Sequence, residues 1–107
     1  MNESIALLEQ FITDFDLRSE DGVTSFRAKI HFFTNSRLTV FEANIQIITS
    51  ASLATLYIVS PENIPPHLPD MFDAKHNEFV YLKHQSLKIK PIDTSEKFTL
   101  SVFPDKS

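Results

Sequence analysis

Asp70, Asp73 and His76 stand three residues apart. On a helical turn their two carboxylates and one imidazole would share a side, as an oxygen-and-nitrogen site for a divalent cation requires. The same stretch reads more simply as a solvated acidic loop. His67, His76 and His84 would meet only if the intervening chain folded back, and no His-Glu-x-x-His spacing supports zinc. No metal is therefore expected. Ser, His and Asp occur throughout, but a nucleophilic triad is a geometry rather than a composition, and no carboxylate pair is singled out for acid–base work. The chain has no cysteine, which removes thiolate ligands, thiol nucleophiles and disulfides. Its only glycine is Gly22. A phosphate-cradling loop, a dinucleotide fingerprint and a nucleophile elbow each need several glycines. These exclusions predict a protein that is not an enzyme and takes no cofactor.

What remains is surface chemistry. The formal net charge is −4, and residues 1–21 hold six acids against the single base Arg18. Asp14, Asp16, Glu20 and Asp21, with Glu3 and Glu9, would offer an acidic face, and complementary charge both speeds encounter and selects a partner. Arg27, Lys29 and His31 alternate along one side of a strand and would join Lys88 and Lys90 if those strands were neighbours. Phe26 and Phe32 fall on the other side, so that basic row is expected to lack aromatic rings for stacking bases. Ile12, Phe33 and Tyr57 lie opposite their segments' core sets and would serve as apolar anchors. The residues expected to bind a partner are Asp14, Asp16, Glu20, Asp21, Arg27, Lys29 and His31. They point to a small, acidic, non-catalytic protein that binds another protein, of the inhibitor, immunity or adaptor type.

One helix and several strands must position these groups. Ile5, Leu8, Phe11 and Ile12 have helical spacing over residues 4–12, with Ser4 or Asn2 as the capping residue. From Phe11 a period of two competes with the helix and runs to Leu17. Asp21-Gly22 is a tight-turn dipeptide. Beyond it, Phe26, Ala28, Ile30 and Phe32 alternate with polar residues, as do Phe41, Ala43, Ile45 and Ile47. Leu53 to Val59 reads as a central strand. Pro65, Pro66 and Pro69 between Pro61 and Asn77 predict a long loop, with one helical turn near Asp70 to Lys75. Phe79 to Lys83, Leu87 to Ile89 and Phe98 to Val102 complete the strands, Pro91 restricting the second of these to an edge or a strand end.

The expected fold is α+β: one domain over residues 1–107, with a mostly antiparallel sheet of five or six strands. The short N-terminal helix and the long loop pack on one face of that sheet. An exposed strand edge would allow a homodimer. No apolar run reaches bilayer-spanning length, and the first residues carry acids rather than a basic cluster, so neither an anchor nor a signal peptide is expected. A cytoplasmic, cysteine-free protein fits these features.

The order of features from Thr13 to His84 is similar to that of the stage V sporulation protein G (septation regulator) family. The residues that carry the resemblance are Arg27-Ala28, Asn44-Ile45-Gln46-Ile47-Ile48, Leu56-Tyr57-Ile58-Val59-Ser60-Pro61 and Asn77-Glu78-Phe79 with Leu82 and His84. The resemblance implies the alternative function, a nucleic-acid-binding regulator using a basic sheet face. The chain departs from that pattern in lacking glycines before Leu56 and basic residues after Pro61, and in the strand-like Lys97 to Phe103 where the family has a helix.

Overall fold

Glu3–Asp14 form helix α1 in the computed structural model, which describes residues 3–34, 36–93, 95 and 97–105. Leu8 and Phe11 are fully buried, and Ile5, Leu7 and Ile12 pack beside them, so the apolar stripe behaves as helical spacing requires. Ser4 lies within the helix rather than capping it, and Asn2 falls outside the described residues. The competing alternation from Phe11 to Leu17 forms no strand.

A left-handed residue, Asp16 (φ +52°), ends the helix. The Leu17 N–H donates to the Ile12 carbonyl at 3.0 Å and the Asp16 N–H to the Thr13 carbonyl at 3.1 Å. This pair of bonds is a Schellman stop, in which glycine is the usual occupant of the Asp16 position.

Eight strands follow among the described residues: β1 (Ser19–Glu20), β2 (Val23–Thr34), β3 (Arg37–Thr49), β4 (Ala54–Val59), β5 (Met71–Asp73), β6 (Asn77–Leu82), β7 (Ser86–Pro91) and β8 (Phe98–Pro104). Every pairing is antiparallel, in the order β5-β4-β3-β2-β8-β7-β6, with β1 added to the start of β2. The sheet thus has more than the five or six strands expected, because β1 and β5 are too short to show a period. Asp70 to Lys75 is strand and turn, not helix. Pro91 ends β7, an interior strand of the order, where its missing N–H is tolerated.

The two ends of this order, β5 and β6, are joined by only Ala74, Lys75 and His76. Four residue steps reach about 14 Å at most, so the sheet must coil until its outer strands nearly meet. The result is close to a barrel, with α1 packed on its inner side against β6 and β4. Two aromatic groups fill the interior. Phe11 meets Phe15, Phe26 and Tyr81 with ring centroids 5.3–5.9 Å apart, and Phe98 meets both Phe32 and Phe72 at 5.9 Å. Phe72 is 1% exposed although it lies in the stretch expected to be loop. Pro65 is buried and Leu68 packs on the core, so the long loop does help to cover the inner face.

Scarcity of glycine proves a poor guide to backbone freedom. Among the described residues seven non-glycine positions have positive φ, including Asp16, Asp21, Ser60, Asn63 and His84. Short polar side chains tolerate this region better than others.

Candidate binding surface

The seven residues expected to bind a partner fall into two unconnected sets with different duties. Asp14 accepts a hydrogen bond from the Tyr81 hydroxyl at 2.6 Å and another from the Gln10 amide at 2.7 Å. The Tyr81 bond, ahead of the Gln10 bond, holds the Asp14 carboxyl below its ordinary value despite an opposing cost of burial. Burial, reinforced by that same bond, pushes the Tyr81 hydroxyl up. Tyr81 oxygen also accepts the His84 N–H at 3.0 Å, so one side chain ties the helix end to the β6–β7 turn.

Asp14 is therefore a fastening between elements. A carboxylate whose folded value is depressed adds stability above its unfolded value, near 3.9, and loses it as pH falls through the folded value. Tyr81→Phe should accordingly lower the melting temperature most at neutral pH, with the gap to wild type narrowing on acidification below about pH 4. A gap unchanged over that range would show that the bond carries no such linkage.

Asp16 and Asp21 also serve the backbone. Asp21 (φ +52°) and Gly22 (φ +77°) form the two-residue connection between β1 and β2, with Glu20 opposite Val23. This is the primed hairpin geometry that the Asp-Gly dipeptide favours. Of the four expected acids only Glu20 is left as an exposed side chain free of such a role. Asp16→Gly should raise stability by up to about 1 kcal/mol, since relief of left-handed strain outweighs the unfolded-state cost of glycine. Urea denaturation checks this, and a loss of stability would contradict the Schellman assignment.

Arg27, Lys29 and His31 share the outer face of β2, as their alternation predicts. Arg27 is engaged by two carboxylates, Glu42 at 3.9 Å and Glu62 in closer contact. Lys29 lies opposite Glu42 on β3 and Phe103 on β8. Lys88 and Lys90 do not flank β2, because β8 intervenes. Across the sheet, Val40, His31, Ser101, Lys88 and Val80 instead form one continuous row.

The expectation that this face lacks aromatics fails. Phe103 on β8 sits on the outer face with its ring centroid 4.6 Å from that of His31. Phe33 is 48% exposed, opposite Leu38 (53%), with Val40 (49%) two residues further along β3. Three large apolar side chains thus meet across the β2–β3 hairpin in contact with solvent, flanked by Lys29 and His31. Tyr57 is a half-buried outer-face residue on β4, whereas Ile12 packs into the core. Leu38 and Val40 escaped notice because the inward set of β3 was counted only from Phe41.

Asp73 and His76 do meet. The Asp73 carboxylate takes both the His76 ring nitrogen Nδ1 at 2.8 Å and the His76 backbone N–H at 2.9 Å. Burial pushes the Asp73 carboxyl up, but the His76 ring and backbone bonds together outweigh it and hold the group below its ordinary value. The pair closes the turn into β6. Asp70 does not join it: among the described residues no group of three His, Asp or Glu side chains is placed to hold a metal ion.

A groove of about 540 Å³ runs between Glu3, Ser4 and Leu7 of α1 and Asn77, Phe79 and Ile92. The Asn77 amide is spent on the Asp73 carbonyl at 3.2 Å, and among the described residues no buried side-chain nitrogen or oxygen lacks a partner. No described helix is long and apolar enough to cross a membrane.

No family model matches the chain, and neither does any curated protein or solved structure.

Proposed function

We propose that the chain is a non-catalytic binding domain whose outer sheet face docks another protein. The observation that carries this reading is the solvent-exposed Phe33–Leu38–Val40 cluster at the β2–β3 hairpin. Adjacent exposed apolar side chains on a rigid sheet cost solubility and supply the anchors on which protein contacts depend. Lys29 and His31 beside it suit a partner with an apolar anchor and an acidic rim. The role is of the inhibitor, immunity or adaptor type, in a cytoplasmic setting. Docking shifts from the acidic N-terminal residues to this face because the Asp14 carboxylate is already held by Tyr81 and Gln10.

Affinity capture from the native host, run in parallel with wild type and Phe33→Asp, tests the reading. Phe33 is half in water, so its replacement should leave the melt nearly unchanged. A captured protein should lose about 30-fold or more in affinity when remeasured with the purified variant. Identical capture by both forms would sink it.

Nucleic acid is the second candidate, favoured by one observation: the His31–Phe103 contact beside Phe33, Lys29 and Lys88 resembles a stacking platform. If that candidate holds, a labelled single-stranded oligonucleotide should bind with steep salt dependence and lose about tenfold in affinity on Phe103→Ala. Absence of binding at low salt would remove it.

A further inference from the structure

β8 separates the basic residues of β2 from those of β7 on the outer face, and the side chain it places at the centre is short. Ser101 lies opposite His31 on one flank and opposite Lys88 on the other. Directly opposed residues hold their Cβ atoms about 5 Å apart, so His31 and Lys88 bracket a gap of about 10 Å with a serine as its floor. Ser101 is only 8% exposed although it faces outward, because the longer side chains around it form walls. Along β8 those walls are Thr99 and Phe103, the second packed against the His31 ring. The outer face thus carries a hollow with a hydroxyl at the bottom, an imidazole on one side and an ammonium on the other.

Charge around the hollow has one sign. Lys29 and Lys90 stand two residues along from His31 and Lys88 on the same face. None of Lys29, Lys88 and Lys90 is in an ion pair among the described residues. Lys88 is half-buried without a counter-ion, an arrangement that an incoming anion completes. Carboxylates stand at the margins, Glu42 opposite Lys29, Glu78 opposite Lys90 and Asp105 beyond Phe103. Val40 and Val80 close the two ends of the row.

We propose that this hollow binds the phosphate of a phosphomonoester. Lys88 and the His31 ring N–H donate to its oxygens from opposite sides, and the Ser101 hydroxyl donates from below. A monoester carries about −1.5 to −2 at neutral pH, which suits cations clustered on one spot. Acids at the corners and valines at the ends make the site an isolated one. It does not continue as the basic track that a polynucleotide backbone follows. The same chemistry serves a small phosphorylated molecule and a phosphorylated side chain. The proposal goes beyond the docking reading, since the hollow needs none of that reading's apolar anchors.

The test is an NMR titration of the full chain near neutral pH with methyl phosphate. Shifts at His31, Lys88 and Ser101 should saturate with a Kd of about 1 mM, as a few charge-assisted bonds allow. Dimethyl phosphate, with its single charge, should bind at least about fivefold more weakly. Lys88→Gln should weaken methyl phosphate binding by roughly tenfold, and Ser101→Val, which fills the floor, by as much. Both positions face outward, and thermal melting checks that the fold is kept. Absence of saturable shifts up to about 10 mM overturns the proposal. So does equal affinity for the two esters, or full binding by well-folded Lys88→Gln. Should Ser101→Val fail to fold, Lys88→Gln decides alone. A glycine-flanked phosphoserine peptide separates the two sources: affinity at least about fivefold above that of methyl phosphate assigns the site to a phosphorylated side chain, and equal affinity assigns it to a small molecule. Leu38→Asp removes an anchor of the docking face and should leave methyl phosphate binding unchanged, so that failure of one idea is distinguishable from failure of the other.

Discussion

Phe11→Ala should cost about 3–5 kcal/mol, the range for truncating a large buried ring. Phe11 is fully buried and is the one ring that touches Phe15, Phe26 and Tyr81 together, so it joins the helix to both β2 and β6. Its removal leaves a hole at the inner end of the barrel that neighbouring strands, held by their ladders, close only in part. Domains of this size hold roughly 5–15 kcal/mol in total, so the loss is a substantial part of the variant's stability. A melting temperature lower by about 15–30 °C is expected. A shift under roughly 5 °C would mean that the helix is not anchored through this ring. Tyr81→Phe makes a useful comparison, since it keeps the ring contact and loses only the hydroxyl bonds to Asp14 and His84.

The second large effect is expected at Gly22→Val, with a loss of about 2–3 kcal/mol. Gly22 has φ +77°, and an added Cβ would stand 3.0 Å from the Thr49 carbonyl oxygen. That oxygen belongs to β3 backbone and has no flexible end that swings aside. The Gly22 carbonyl accepts the Thr49 N–H at 3.1 Å, so pushing the turn away also strains the first rung between β2 and β3. A β-branched residue adds its own penalty at positive φ. Asp21→Asn preserves the turn preference and should fall within about 0.5 kcal/mol of wild type. Equal tolerance of Val and Asn in chemical denaturation would show that the connection has another geometry.

Strand faces were legible from residues, whereas strand neighbours were not. Alternation over Phe26 to Phe32 and Phe41 to Ile47 placed Ala28, Ile30, Phe32 and Ile45 correctly inside, because a period of two reports which side is dry. It carries no information on which strand lies beside which, so the placement of β8 between β2 and β7, and with it the row from Val40 to Val80, came only from the structure. Phe72 was lost among prolines and acids because a three-residue strand has no period to detect. Phe103 lies just past the alternating stretch Phe98 to Val102, although β8 runs on to Pro104. The backbone roles of Asp16 and Asp21 stayed hidden for another reason: an exposed aspartate carries no sign of its left-handed dihedral in the sequence.

The placement of β8 beside β2 also governs the order in which the fold is assembled. Ile30 faces Phe41 across a short reversal but faces Val102 across most of the chain. A ribosome delivering the polypeptide therefore releases a long hairpin whose second flank stays unpaired until the final strand emerges. Contacts so distant in sequence pay their chain-closure entropy before any gain is realised, which puts refolding in the millisecond-to-second class.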